Sequence, residues 1–218
     1  MTLIYTPVDI EYVHPNEQDI IDWFNENQMT DLTYNEYVKG RHIWATVACR
    51  GQPRDWGHFD CFTDHWGNNR EYIEGAELVW RPGFKERFPE LVKLIEAQPF
   101  KQIGGVAMIK QIGPVELHND TPDLYNPTEP RRYLTYLTNP EYNTFHLTDG
   151  VTKFIPSIDD KYRCFAFNNT ALQHGADWPT KGTKILLTTA GVVDNEKHEE
   201  LIARSVEKFK EKVIYANI

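Results

Sequence analysis

Apolar and polar residues are distributed differently before and after residue 101 of this 218-residue chain. From that point on, short runs of β-forming residues follow one another, separated by clusters of Gly, Pro, Asn and Asp. The pattern predicts strands over 103–111, 114–118, 131–138, 142–147, 151–155, 162–167, 170–174 and 183–192. Because no helix is predicted between these strands, an antiparallel sandwich or barrel is favoured over βαβ units.

Helical spacing of apolar residues is found on both sides of this β-rich segment. Before it, the pattern predicts helices over 14–28, 32–40 and 84–100, a strand over 41–50 and a loop over 51–72. After it, Leu201, Ile202, Val206 and Phe209 recur at the spacing of an amphipathic helix that packs on the outside of the sheet. The expected fold class is mainly β with flanking helices, built on a double-stranded β-helix (jelly-roll or cupin-like) core.

The length and the apolar content indicate a single domain over 1–218. Apolar residues make up 40% of the chain, which is enough to bury a sizeable core. Within this domain we expect N-terminal support of mixed helix and strand (1–100), the β-helix core (101–192) and a C-terminal helix (193–218).

The net charge of −9 disfavours nucleic acid as a partner, because phosphate contacts need clustered Lys and Arg. Small molecules and peptides are better candidates. The three cysteines form no CxxC pair, which fits a reducing cytoplasm. No run of 18 apolar residues and no secretory signal occur, so a cytoplasmic protein without a membrane span is expected.

His118 and Asp120 stand where a predicted strand ends, just before Pro122. Taken alone, this pair indicates a turn, because Asn and Asp favour turns and proline interrupts strand pairing. His174 follows 56 residues later, at the end of another predicted strand. Two histidines and one carboxylate on adjacent strands can form the facial triad of non-haem Fe(II) oxygenases. We therefore predict a metal site of His118, Asp120 and His174.

Lys184 lies ten residues after His174, in a predicted strand where Lys184, Leu186 and Thr188 share one face. A lysine buried among apolar residues is costly without an anionic partner. A group of facial-triad oxygenases binds a dicarboxylate cosubstrate, and the far carboxylate of such a cosubstrate needs a cation of this kind. Lys184 is the predicted cation, and the Thr188 hydroxyl could add a hydrogen bond.

A second copy of the H-x-D pattern, His58 and Asp60, could pair with His118 instead. This alternative would leave most of the predicted strands outside the barrel. It also lacks a basic residue ten positions after the distal histidine, where Thr128 stands. His146 lies inside a predicted strand and is interpreted as a hydrogen-bonded polar residue of a half-buried sheet.

Arg131 and Arg132 begin a predicted strand and must point to opposite faces. Whichever of the two faces the interior could bind a carboxylate of the substrate or the cosubstrate through a bidentate pair. Tyr136 shares the face of Arg132, and Tyr133 shares that of Arg131. Either tyrosine could hydrogen-bond the cosubstrate or simply pack, so both arginines and Tyr136 stay candidate cosubstrate ligands.

The segments HND (118–120), QHG (173–175) and TKILLTT (183–189) together resemble those of Fe(II)/2-oxoglutarate-dependent dioxygenases. The resemblance covers roughly residues 100 to 192 and is closest to the aspartyl/asparaginyl β-hydroxylase and prolyl-hydroxylase-like branches. It implies an enzyme that uses Fe(II), 2-oxoglutarate and dioxygen to hydroxylate an amino-acid side chain, free or in a peptide or protein. In this family pattern Lys184 would hold the 5-carboxylate of 2-oxoglutarate.

Three alternatives stay open at this point. The first is a 2-oxoglutarate oxygenase that acts on a nucleobase or another small molecule. The second is a cupin-like protein that binds a metal or ligand without turnover, in which Lys184 would point outward. The third is a purely structural jelly-roll, in which His118, Asp120 and His174 would not converge.

Overall fold

The computed structural model describes residues 1–29, 41–50, 56, 74–75, 77–119 and 132–217. The helices are α1 (Glu17–Asn27), α2 (Phe84–Arg87), α3 (Pro89–Glu96) and α4 (Asn195–Lys208), with 3-10 turns at Pro140–Tyr142 and Lys210–Lys212. The strands are β1 (Thr2–Pro7), β2 (His42–Arg50), β3 (Leu78–Trp80), β4 (Phe100–Gln111), β5 (Val115–His118), β6 (Arg132–Tyr136), β7 (Phe145–Thr148), β8 (Lys153–Phe154), β9 (Cys164–Phe167), β10 (Gln173–Ala176), β11 (Ile185–Val193) and β12 (Ile214–Ala216).

The strands form two antiparallel sheets. The larger sheet has the order β12-β1-β9-β6-β11-β4-β2-β3, and the smaller has the order β5-β10-β7-β8. The predicted class, mainly β with flanking helices, is therefore confirmed. In the described part of the chain, no helix is both long and apolar enough to cross a membrane.

The larger sheet is buried on both faces, and each face packs against a different layer. Its outer face carries Val106, Met108 and Leu187, which pack with the buried sides of α1, α2, α3 and α4. Its inner face carries Leu134 and Leu186, which pack with residues of the smaller sheet. Side chains that alternate along one strand therefore enter two separate hydrophobic clusters.

The eight strands predicted after residue 101 all occur, with their ends displaced by no more than three residues. Three strands of the larger sheet were not predicted: the edge strands β3 and β12, and β1, which lies next to β12. The predicted helix over 193–218 is correct up to Lys208, after which the chain turns and β12 pairs with β1. These strands have six residues or fewer, so their alternation is too brief to be recognised in the sequence.

The helix predicted over 84–100 is divided. Phe88 leaves the helical region, with φ −131° and ψ 57°, and Pro89 then begins α3. A residue that precedes proline avoids the helical region because the proline ring crowds its backbone. The predicted helix over 32–40 lies outside the described residues. The predicted loop over 51–72 lies outside them apart from residue 56, as do Asp120 and Arg131.

Candidate metal and anion site

His118 and His174 are direct neighbours across the β5–β10 strand pair. Their ring centroids lie 4.3 Å apart, and the ring planes are inclined by 50°. His174 also pairs with Leu147 of β7, which belongs to the cluster between the two sheets. Residues that pair across antiparallel strands share one face, so both histidines lie on the inner face of the smaller sheet. Two of the three predicted metal ligands are thus brought together.

The His118 ring is oriented by a backbone carbonyl. Its Nδ1 atom lies 2.8 Å from the carbonyl oxygen of Glu116. A carbonyl oxygen only accepts hydrogen bonds, so Nδ1 is the donor and the lone pair stays on Nε2. Metal-binding histidines are commonly held in this way, with the second ring nitrogen donating to a carbonyl or carboxylate.

His174 lies in an aromatic environment at the inner end of the site. It is buried, and its ring centroid lies 5.1 Å from that of Phe167 and 6.2 Å from that of Phe145. His118, in contrast, is exposed. The pair therefore has one dry, apolar side and one open side, as a site needs if a substrate is to approach a protected reaction centre.

Gly175 allows the two histidine strands to approach each other. A Cβ atom at Gly175 would lie 2.7 Å from the Val115 carbonyl oxygen and 3.3 Å from Leu117 Cδ2. Real Cβ atoms almost never come this close to a backbone oxygen, so any larger residue would push β5 away from β10. The glycine of the QHG segment therefore has a steric role beside the histidine that it follows.

The third predicted metal ligand, Asp120, lies outside the described residues. The residue before it, Asn119, is held in place because its Nδ2 donates to the Thr170 carbonyl oxygen over 2.9 Å. Within the described ranges, no group of three or more His, Cys, Asp or Glu residues is arranged to hold a metal ion. The His118–His174 pair fits two positions of a facial triad, and the donor set is of the right chemical type for Fe(II).

Lys184 lies at the edge of the same interior space, just before β11. Its carbonyl oxygen accepts from the Gln111 backbone N–H, and Gln111 in turn pairs with His42. These three residues form one row across the larger sheet. Two residues after Lys184, Leu186 pairs with Tyr136, and both belong to the cluster between the sheets. Lys184 therefore points inward and not to solvent.

The Lys184 ammonium is almost completely enclosed, with 1% of the residue exposed. Its Nζ donates to Thr144 Oγ1 over 3.1 Å and lies 5.5 Å from the centroid of the Tyr136 ring. It forms no ion pair with any described residue. Burial lowers the pKa of Lys184 to about 7, and the carboxylate of Asp177 opposes this effect. A buried ammonium with no counter-ion in the described part of the chain is a candidate binding site for an anionic group.

Thr188 lies on the same inner face, two residues beyond Leu186 along β11. It pairs with Leu134 on one side and with Ala107 on the other. Its hydroxyl is buried and has no hydrogen-bond partner among the described residues. Tyr136 also faces the interior, but its hydroxyl donates to Asn143 Oδ1. Thr188 thus has a free donor, whereas Tyr136 contributes the face of its ring.

The alternation of β6 decides which of its side chains face the site. Arg132 pairs with Phe167 and shares the inner face with Leu134 and Tyr136. Tyr133 points the opposite way and makes a buried 2.7 Å hydrogen bond with His198 of α4. Arg131, the other candidate, lies outside the described residues.

His146 is separated from the histidine pair although it lies on the strand next to His174. It pairs with Gly175, and therefore points to the outer face of the smaller sheet. Its Nδ1 lies 3.2 Å from the Thr144 carbonyl oxygen and 4.0 Å from Asp177 Oδ2.

Sequence reasoning did not single out His42, Gln111 or Thr144, which adjoin Lys184. Burial, followed by the nearby charges of Lys184 and His118, lowers the pKa of His42 to about 4. One signal for His42 was present: it is the second residue of the predicted strand over 41–50. Gln111 and Thr144 give no such signal, because their partners are far away in the sequence.

Comparison with known proteins gives little further information. No family model and no curated protein matches this sequence. Among solved structures, the chain is similar to an oxidoreductase of the 2OG-Fe(II) oxygenase family from Burkholderia pseudomallei. The sequence identity is 9% and the TM-score 0.36, and the match covers 85% of this chain and 96% of that one. The case for a function therefore rests on the arrangement of this chain's own residues.

Proposed function

We propose that this protein is an Fe(II)- and 2-oxoglutarate-dependent oxygenase with a double-stranded β-helix core. The observation that carries the proposal is the placement of a histidine pair and a buried lysine on the facing inner surfaces of two antiparallel sheets. His118 and His174 lie on the smaller sheet, and Lys184 lies on the larger one. A short dicarboxylate could contact a metal at one end and the ammonium at the other.

The distance along the sheet fits this arrangement. Thr144, which binds the Lys184 ammonium, precedes by three residues the Leu147 that pairs with His174. Strand residues rise by about 3.3 Å each, so the two levels are roughly 10 Å apart along β7. The lysine side chain and the metal–ligand bonds fill part of this distance from both ends, and a short dicarboxylate would fill the rest.

Each candidate residue has a defined task in this proposal. His118 and His174, with Asp120 as the carboxylate ligand, would hold Fe(II), which when bound with 2-oxoglutarate and dioxygen supplies the oxidising chemistry. Lys184 binds the 5-carboxylate of 2-oxoglutarate, and the Thr188 hydroxyl donates a further hydrogen bond. Phe145 and Phe167 exclude water from the inner side of the histidine pair.

We assign the substrate to amino-acid side chains, free or in a peptide or protein. Arg132 supports this assignment because it lies on the inner face at the Phe167 end of β6, where it could bind a substrate carboxylate. A cupin-like binding protein without turnover would leave Lys184 free to point outward. Its burial beside Tyr136 weighs against that alternative.

Anaerobic binding of Fe(II) and 2-oxoglutarate, followed by succinate release in air, tests the proposal. We expect 2-oxoglutarate to bind only to the metal-loaded protein, and succinate to form faster when amino acids or peptides that serve as substrates are added. Lys184→Met should lose 2-oxoglutarate binding and keep Fe(II) binding. The proposal fails if 2-oxoglutarate does not bind the Fe(II)-loaded protein, or binds Lys184→Met equally well.

A further inference from the structure

The hydroxyl of Thr144 lies between Lys184 and the side-chain amide of Gln111. Lys184 Nζ donates to Thr144 Oγ1 over 3.1 Å, and Thr144 Oγ1 donates to Gln111 Oε1 over 3.2 Å. A hydroxyl has one proton and can rotate, so its lone pairs face Lys184 consistently only when that proton is held elsewhere. The amide oxygen of Gln111 holds it.

The Gln111 amide is itself held in one direction. Its Nε2 donates to the carbonyl oxygens of Gly113 and Asp177, each over 2.8 Å. Both partners only accept, so a reversed amide would lose two hydrogen bonds and place its oxygen against two carbonyl oxygens. The residue is also buried. The direction of the Thr144 proton is therefore fixed by the backbone on which Gln111 is anchored.

We propose that Gln111 and Thr144 are positioning residues that hold the Lys184 ammonium toward the far carboxylate of 2-oxoglutarate. Thr144 engages one of the three ammonium protons, which leaves two for the anion. The Tyr136 ring, 5.5 Å from Nζ, limits movement of the ammonium on another side. This inference rests on the proposed function, and it adds that Gln111 acts on the anion without touching it.

Four variants test this hydrogen-bonded relay from Gln111 through Thr144 to Lys184, on the Fe(II)-loaded protein under anaerobic conditions. They are Thr144→Val, Thr144→Ser, Gln111→Met, and Thr144→Val combined with Gln111→Met. Without the Thr144 acceptor the ammonium is less favourable and free to turn away from the anion, so Thr144→Val should raise the Kd for 2-oxoglutarate about 10-fold, which corresponds to about 1.4 kcal/mol. Thr144→Ser keeps the hydroxyl and should bind like the parent. Gln111→Met should weaken binding, and should add nothing further when Thr144→Val is already present.

The pH dependence of binding separates positioning from loosened packing. The anion binds the protonated form of Lys184, so affinity falls tenfold per pH unit above the pKa of that lysine, which burial holds near 7. Loss of the Thr144 acceptor makes the ammonium less favourable, so the fall should begin at a lower pH in Thr144→Val. Water entering a loosened site would move the fall to a higher pH and would overturn the proposal.

The outcomes also distinguish the relay from the proposed function. If the parent protein does not bind 2-oxoglutarate, or if Lys184→Met binds it equally well, the proposed function fails and the relay fails with it. If Lys184→Met loses binding while Thr144→Val keeps the affinity of the parent, the relay alone is wrong. Additive effects of the two substitutions would overturn the role of Gln111. If Gln111→Met does not fold, the comparison of Thr144→Val with Thr144→Ser decides.

Discussion

His146 and His174 lie on neighbouring strands of one sheet but point to its opposite faces. His174 pairs with Leu147 and joins His118 on the inner face, whereas His146 pairs with Gly175 on the outer face. The two histidines therefore lie in the same sheet and are similarly buried, but only His174 lies beside His118 in the proposed metal site.

Replacing His174 or His118 by alanine should abolish stoichiometric loading with Fe(II) or Co(II). Loss of a direct ligand should exceed the roughly 10- to 100-fold effect that is typical of outer-shell partners. Co(II) absorption under titration measures the loading. His146→Ala is the control and should load like the parent. Equal losses in His146→Ala and His174→Ala would contradict the assignment of the inner face as the metal site.

The stability of the ligand-free protein should rise with pH because of Lys184. Burial lowers the pKa of this lysine to about 7 in the folded state, whereas the unfolded chain keeps the ordinary value of 10.5. Between these values the unfolded state binds one more proton, so the free energy of unfolding rises by roughly 1.4 kcal/mol per pH unit. Below about pH 7 both states are protonated, and the full cost of burying the charge remains.

Urea unfolding of the parent and of Lys184→Met, from pH 6 to pH 10, measures this contribution. Other groups titrate in the same range, so the informative quantity is the difference between the two proteins. We expect Lys184→Met to be the more stable protein at pH 6 and the difference to shrink as the pH approaches 10. A difference that does not change with pH would mean that Lys184 is not buried as a cation.

Gly175→Ala should weaken both the fold and the metal site. The added Cβ would meet the Val115 carbonyl oxygen at 2.7 Å, so β5 must move away from β10 and carry His118 with it. We expect a loss of about 1–3 kcal/mol in the free energy of unfolding, together with weaker Co(II) binding.

Gly191→Ala provides the matched control for Gly175→Ala. A Cβ at Gly191 would also meet backbone, at 2.2 Å from the Gln102 carbonyl oxygen, but at a β-bulge between β4 and β11. This variant should lose stability and bind Co(II) normally when folded. If both variants changed the metal affinity equally, the effect would be due to general loosening.

Tyr133→Phe should lower stability without affecting the site. The Tyr133 hydroxyl makes a buried hydrogen bond with His198, and its loss should cost about 1 kcal/mol. Because Tyr133 faces α4 and not the interior between the sheets, the Kd for 2-oxoglutarate should not change. Chemical unfolding and calorimetric binding measure the two quantities. A changed Kd would show that the two faces of β6 are coupled.

The sequence contained most of the information about the strands and about which faces they bury. Its period of two put Lys184, Leu186 and Thr188 on one face. The pairing of β11 with β6 places Leu186 and Thr188 toward the interior, and Lys184, just before β11, is buried on the same side. The opposite directions of Tyr133 and Tyr136 followed from the same period. Such predictions succeed because side-chain direction along a strand is a local property of the backbone.

What could not be predicted depends on contacts between distant parts of the chain. Gln111 and Thr144 are ordinary polar residues until strand pairing brings them beside Lys184. The role of Gly175 likewise depends on how closely β5 approaches β10. The opposite placement of the two arginines was predicted, but only the register of β6 against β9 puts Arg132 on the inner face.

The location of the histidine pair and the lysine on different sheets has a mechanical consequence. A metal-bound dicarboxylate that also binds Lys184 would link the two sheets across the interior, as a reversible, non-covalent cross-link. Ligand that binds only the folded state adds stability, about 2.7 kcal/mol at a concentration one hundred times its Kd. If the proposed function is correct, each turnover would remove this link, and the two layers would then be joined by their apolar contacts and by direct hydrogen bonds such as that of Lys184 with Thr144.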